Sequence, residues 1–293
     1  MLTFDSVRKS FGSVQVLDEV SLRVPAGSVV ALVGHNGAGK TTLMKTALGL
    51  VAPDAGQVRL GGIPVGQLGT LGGLVGVSFD ASTLPPSWTA GTALRVAASL
   101  AGTPAARVPE VLQLVGLADV TRRKVANFSM GMRQRLALAL ALLSQPRLLI
   151  LDEPTNALDP VACHELRGWI RDHAAAGNSV LVSSHNLPEV EQVADRVAVL
   201  HKGRLVQDAA KADLLATDAV LVRVDAPEVL TGRLAQLGRH TDHLPDGAIR
   251  VVGMPTGDVG AVAAACGLVV RELTGERRQL ADIYQLITAE GAA

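Results

Sequence analysis

The chain has 293 residues, 48% hydrophobic and 18% charged, and its 27 basic residues are balanced by 27 acidic ones. These proportions fit one large well-buried domain, or a standard domain with an appendage, and exclude a disordered chain. Zero net charge without any block of like charge argues against a broad electrostatic grip on nucleic acid.

Aromatics make up only 2% of the chain, so the core is expected to rest on Ala, Val and Leu. The opening MLTFDSVRKSFG carries Asp5 and Arg8 where a secretory signal needs an apolar run. Nowhere do ~18 apolar residues follow one another, as a membrane helix requires. Any path across a membrane therefore belongs to another polypeptide. The two cysteines, Cys163 and Cys266, have no metal-ligand spacing and are expected as buried apolar residues.

Over the first ~210 residues, short apolar runs alternate with helical patterns, which predicts an α/β domain with a largely parallel core sheet. The run at 29–33 ends at a glycine and reads as a buried strand, with a helix over 41–50. Residues 148–151 and 180–183 read as further buried strands, 131–143 and 162–175 as helices, and 74–77 and 197–200 as weaker strands. The pattern changes around 208–218. Strands are then expected at 220–224, 249–252 and 268–273, and helices at 228–237, 258–266 and 280–288. In the last helix Leu280, Ile283, Tyr284 and Ile287 recur at the spacing of one apolar face. This tail, residues 219–293, is expected to be a small α+β accessory domain after a main domain of residues 1–215.

The chemistry is concentrated in the main domain. Gly34-His35-Asn36-Gly37-Ala38-Gly39-Lys40-Thr41 follows the phosphate-binding pattern G-x-x-x-x-G-K-[ST], between a buried strand and a helix as that pattern requires. Glycines let backbone N–H groups close around phosphates, and the helix N-terminus, with Ala38, Thr41 and Thr42 beside it, adds a favourable dipole. Lys40 is expected to reach the β- and γ-phosphates and Thr41 to coordinate Mg²⁺. The strand at 148–151 runs into Asp152 and Glu153. The first carboxylate is expected to hold Mg²⁺, and the second to orient or deprotonate an attacking water.

With these motifs in place, residues 1–215 resemble the nucleotide-binding domain of ABC transporters. The resemblance implies a P-loop NTPase fold: a RecA-like core, an antiparallel β-subdomain and a helical subdomain. Phe128-Ser129-Met130-Gly131-Met132 resembles the family's signature motif, with Met130 and Met132 replacing its first glycine and its glutamine. The resemblance implies that Ser129, Gly131 and Met132 meet ATP held by a second subunit. Asn156-Ala157-Leu158-Asp159 resembles the D-loop, which makes Asp159 a residue of the dimer seam. His185 resembles the switch histidine that contacts the γ-phosphate. Phe11 occupies the usual place of the aromatic that stacks on adenine. The Q-loop glutamine is missing, and Asp80 is its best positional match as a metal-side ligand.

The resemblance further implies two chains closing on two ATP molecules with Mg²⁺, as a homodimer or with a similar ATPase. It implies a separate transmembrane permease and a cytoplasmic location, peripheral on the inner face of the cell membrane. The tail, the segment 129–135 and the missing glutamine resemble the ABC-2 branch of drug, antibiotic and lantibiotic exporters. Two other readings remain: a soluble ABC ATPase on nucleic acid or ribosomes, and a nucleotide-binding regulator with weak hydrolysis.

Overall fold

The computed structural model describes residues 1–69, 71–79 and 81–290, apart from the side chains of Ser82, Arg277 and Glu290. Two compact units emerge: Met1–Lys211 together with the chain from Tyr284 onward, and Ala212–Ile283.

In chain order the first unit contains β1 (Leu2–Phe11), β2 (Val14–Val24), β3 (Val29–Val33), α1 (Lys40–Ala47), β4 (Ala55–Leu60), β5 (Ile63–Pro64) and β6 (Val75–Ser78). It continues with α2 (Ala90–Ala101), α3 (Arg107–Leu114), α4 (Met130–Leu142), β7 (Leu148–Asp152), α5 (Pro160–Ala175) and β8 (Ser179–Ser184). The helix α6 (Leu187–Val193) and strands β9 (Arg196–His201) and β10 (Arg204–Ala210) complete it.

Two sheets form. The antiparallel one runs β2-β1-β4-β5 and the six-stranded one β10-β9-β3-β8-β7-β6. In the second, β9, β3, β8, β7 and β6 are parallel, and only β10 runs back against β9. All five residues of β3 are buried because the strand has neighbours on both edges and cover on both faces. Burying one Val or Leu side chain is worth about 1.5–3 kcal/mol, so such a run fixes the strand without any alternation. One apolar cluster joins β3, α1 and the antiparallel sheet, and a second holds α2, α3 and α4 together. These are the α/β core, the antiparallel β-subdomain and the helical subdomain.

Some expectations shift. Cys163 and Cys266 are half-buried rather than buried. Strand β10, Arg204–Ala210, escaped the sequence reading because it mixes polar and apolar residues without alternation and is at best half-buried on an edge.

The second unit adds α7 (Lys211–Leu215), β11 (Ala216–Val224), α8 (Pro227–Gln236), β12 (Thr241–His243), β13 (Ile249–Val252), α9 (Thr256–Ala265) and β14 (Val270–Arg277), before α10 (Leu280–Glu290). Its sheet is antiparallel in the order β12-β13-β11-β14. The sequence of elements from β11 to β14 is β-α-β-β-α-β, the split-βαβ or ferredoxin-like arrangement. Val220, Val222, Ile249, Val251, Leu230 and Leu234 build its core. Ion pairs between Arg223 and Glu272, and between Arg250 and both Glu276 and Asp242, lie on alternate residues of the same strands. The third strand, expected over 268–273, runs instead over Val270–Arg277. Its polar second half pairs with β11, so backbone pairing rather than hydropathy sets its end.

Candidate functional site

The parallel strands β3, β7 and β8 end on one edge of the six-stranded sheet, and the loop after each carries one part of the predicted site. The loop from Gly34 to Gly39 leaves β3 and turns into α1. It has to be glycine at its two ends. A Cβ on Gly34 would stand 2.4 Å from the Leu200 carbonyl oxygen, and one on Gly39, at φ +105°, 2.8 Å from that of Val16. Only a bare backbone passes so close to its neighbours, and φ near +100° favours glycine in any case.

Lys40 opens α1 and is buried. Its ammonium donates to the Gly34 carbonyl at 2.7 Å and the His35 carbonyl at 3.3 Å, and stands 3.6 Å from Glu153 Oε1. A buried cation needs partners of this kind, and these are the loop's own oxygens and one carboxylate. The Thr41 hydroxyl donates to Asp152 Oδ2 at 2.6 Å, which brings the first turn of α1 and the end of β7 together.

Glu153 follows Asp152 in a left-handed conformation, φ +48°. This turns its side chain out of the strand line. Glu153 Oε2 accepts from His185 Nδ1 at 2.7 Å, and since an ionised carboxylate only accepts, Nδ1 carries the proton. The other oxygen, Oε1, is buried and has no hydrogen-bond donor among the described residues. Ser183, fully buried on β8 and paired in register with Asp152, was not picked out from the sequence. Its hydroxyl accepts from the Glu153 backbone N–H at 2.9 Å and donates to Asp152 Oδ1 at 2.5 Å.

A cavity of about 800 Å³ is lined by Lys40, Thr41, Asp152 and Glu153, while Ser183 and His185 are not among its lining residues. Of the predicted residues, Asn36, Gly37, Gly39, Lys40, Thr41 and Thr42 line it from one side, and Asp152 and Glu153 from another. Val16, Phe79 and Ala81 also line it and were not predicted, and Met130, Arg133 and Asn156 line it from the segments that resemble the signature motif and the D-loop. Gln134, another lining residue missed from sequence, is buried and donates to the Pro154 carbonyl at 3.1 Å. That bond ties α4 to the segment after Glu153. Gly34 and Ala38 are buried beneath the loop rather than on the cavity wall.

Phe11, Ser129, Gly131, Met132, Asp159 and His185 do not line it, whereas Met130 does. Phe11 is 52% exposed, with the Lys9 ammonium 5.5 Å from its ring centroid. Ser129 is the N-cap of α4, its oxygen accepting from the Met132 N–H at 3.2 Å, which leaves the hydroxyl proton free to be donated. A Cβ on Gly131 would stand 3.0 Å from the Ala157 carbonyl oxygen, a close contact to which the neighbouring backbone would have to yield. Met130, where the resemblance has glycine, is 70% exposed and meets no such obstacle. Met132 packs against the α2–α4 cluster. Asp159 caps α5 by accepting from the Ala162 N–H at 2.8 Å. That bond, with the Arg135 guanidinium 3.6 Å away, holds its carboxyl below the usual range. Asp80 lies outside the described residues.

No described helix is long and apolar enough to cross a membrane.

The comparisons agree on one family. The family model described as ABC transporter matches residues 17–156, and one described only as a domain of unknown function matches residues 218–280. The chain is similar to the bacitracin transport ATP-binding protein BcrA of Enterococcus faecalis, 32% identical over 98% of this chain and 96% of that one. It is also similar to the lantibiotic transport ATP-binding protein SrtF of Streptococcus pyogenes, 36% identical over 70% of this chain and 89% of that one. Among solved structures, an ATP binding subunit of an ABC transporter superposes with a TM-score of 0.69 at 31% identity, covering 73% of this chain and 91% of that chain. A bacterial ABC transporter cassette solved as a dimer matches with a TM-score of 0.67 at 23% identity, over 72% and 98% of the two chains, which is a likeness of fold.

Proposed function

Because the chain belongs to the ABC transporter family as an ATP-binding subunit, we propose that it is the ATP-hydrolysing motor of an exporter, working through a separate transmembrane permease on the cytoplasmic face of the membrane. The observation that carries this reading is the meeting of Lys40, Thr41, Asp152 and Glu153 around one cavity at the edge of the parallel sheet.

Lys40 exchanges its contacts with the Gly34 and His35 carbonyls for the β- and γ-phosphate oxygens of ATP. Backbone N–H groups of the Gly34–Gly39 loop and the N-terminus of α1 add their dipoles to the same charge. Thr41 Oγ1 and Asp152 are hard oxygen donors already within 2.6 Å of each other, a donor set that suits Mg²⁺. Mg²⁺, when bound there, neutralises phosphate charge.

Glu153 acts on the attacking water: its Oε1, with no donor of its own, accepts the water's hydrogen bond and draws off the proton. His185 orients that carboxylate from the other oxygen, and its likeness to the switch histidine supports a contact with the γ-phosphate. Positioning and electrostatic stabilisation carry the phosphoryl transfer, since little covalent chemistry falls to the protein.

Two chains, or this chain and a similar ATPase, close over two nucleotides, with Ser129, Gly131 and Met132 of one and Asp159 of the seam meeting the nucleotide of the other. Phe11 stacks on the base, and Asp80 stands in for the missing glutamine. The names of the relatives support a drug, antibiotic or peptide-like cargo. Residues 219–293 act as an accessory domain to the motor of residues 1–215.

The test is co-expression with candidate permeases and assay of the purified complex. A hydrophobic membrane protein that co-purifies and raises Mg²⁺-dependent ATP turnover supports the motor. Turnover that responds to nucleic acid or ribosomes and never to a permease would overturn it.

A further inference from the structure

We propose that Ser183 is a positioning residue for ATP hydrolysis, one hydroxyl that sets the directions of both Asp152 and Glu153. The proposal rests on the reading of Glu153 as the group that activates water.

Ser183 on β8 is the parallel partner of Asp152 on β7, so its side chain rises beside the end of the carboxylate strand. It is fully buried, and a buried hydroxyl has to find partners. It finds two, one on each neighbour. The hydrogen goes to Asp152 Oδ1, and the oxygen accepts the backbone N–H of Glu153.

Each bond fixes something the chemistry uses. The first orients the Asp152 carboxylate so that Oδ1 is taken and Oδ2 remains turned towards Thr41, the metal-side oxygen. The second holds the backbone of Glu153 at φ +48°, a conformation that a residue with a Cβ adopts only when its surroundings impose it. That turn takes the Glu153 side chain off the strand and towards Lys40 and His185. If the N–H loses its acceptor, the reason for the turn is weakened and Oε1 is no longer held over the cavity.

Ser183 is not among the residues that line the cavity, so its effect passes through Asp152 and Glu153. A buried partner that orients a reacting or ligating group commonly matters by about 10–100-fold in activity or metal affinity.

The experiment compares Ser183→Ala, Ser183→Cys, Ser183→Thr and Glu153→Gln, and the double variant Ser183→Ala with Glu153→Gln, in the full chain. Steady-state turnover, affinity for a fluorescent ATP analogue with and without Mg²⁺, and thermal unfolding are measured on each. Ser183→Ala is expected to lower kcat by about 10-fold or more, to leave Mg²⁺-free nucleotide affinity unchanged, and to lose part of the Mg²⁺-dependent gain in affinity. Ser183→Cys keeps the volume but donates poorly, so it should behave like the alanine variant. Ser183→Thr keeps the hydroxyl and should recover most of kcat. The double variant should fall below Glu153→Gln by clearly less than the single-variant factor, because the part of the Ser183 effect that passes through Glu153 is already gone and only the part through Asp152 remains.

A Ser183→Ala enzyme of wild-type kcat, or a double variant slower than Glu153→Gln by the full single-variant factor, would overturn the proposal. Should Ser183→Ala fail to fold, Ser183→Cys and Ser183→Thr decide it, since equal kcat in those two would also overturn it. If Glu153→Gln itself keeps full turnover, the underlying reading of Glu153 has failed instead.

Discussion

The two units of this chain both alternate strands with helices, yet among the described residues the predicted site gathers in the first. In the six-stranded sheet the strands from β9 to β6 run parallel, so the ends of β3, β7 and β8 fall on one edge and the loops after them meet. Gly34 to Lys40, Asp152 with Glu153, and Ser184 with His185 come from distant parts of the sequence and converge there. In the second unit every pairing is antiparallel, so successive strand ends alternate between edges. Its charged side chains pair with one another on the sheet, Arg223 with Glu272 and Arg250 with Glu276, instead of gathering at a shared end. Parallel strands bring loops from distant parts of the sequence to one edge, where open α/β sheets bind their ligands.

That contrast can be broken most forcefully at Lys40. Lys40→Ala removes the cation of the shared edge, and loss of one preorganised electrostatic partner typically costs about 10²–10³ in turnover. Steady-state ATPase assays are expected to show at least that loss, with weakened nucleotide binding and an intact thermal transition. A comparably placed change in the second unit should do the opposite. Leu230→Ala empties a fully buried position and is expected to destabilise that unit by about 2–5 kcal/mol. Nucleotide affinity should not move. Calorimetry, read together with a nucleotide titration, checks both halves of this statement.

Smaller effects sharpen the comparison. Arg250→Met removes the pairs with Glu276 and Asp242 on a side chain 31% exposed, and partly exposed pairs contribute about 0.2–1 kcal/mol. Denaturant melts should register that and no change in turnover. The smallest effect is on pH dependence in the first unit. Burial pushes the His173 imidazole below its usual pKa, and its Nε2 has no partner among the described residues. Below about pH 6.5 the unfolded chain takes up a proton there that the folded chain resists, so folding stability falls as pH drops. His173→Phe should flatten that slope without changing stability's dependence on Mg²⁺-ATP.

Much of the first unit was legible because its signals are local. The run Val29–Val33 is apolar throughout, and the glycine and lysine after it occupy fixed positions in a known phosphate-binding pattern. The strand into Asp152 and Glu153 is equally plain. The antiparallel sheet came only through resemblance, for a physical reason: β1 and β2 carry register shifts, with Ser6 and Glu19 at positive φ, so their alternation of buried and exposed residues breaks midway. Strand β12 is three polar residues, Thr241–His243, on a sheet edge, and nothing in their hydropathy marks them. At the site, Gln134 and Ser183 were missed because their roles are hydrogen bonds across more than 15 residues of sequence. Ser183, the first of two serines ahead of His185, is unremarkable in sequence. Only the register of β7 against β8 puts it beside the Asp152 carboxylate and the Glu153 backbone N–H.

The central claim is that the loop after β7 delivers Glu153 to the water that attacks ATP. The most direct test is single-turnover hydrolysis by Glu153→Gln with radiolabelled ATP and Mg²⁺, beside the wild-type chain in the same permease complex. The account predicts that the variant binds ATP as tightly as wild type and leaves it uncleaved, with turnover down by about 10²–10⁴-fold. Cleavage at the wild-type rate would contradict it and require another base at this edge of the sheet.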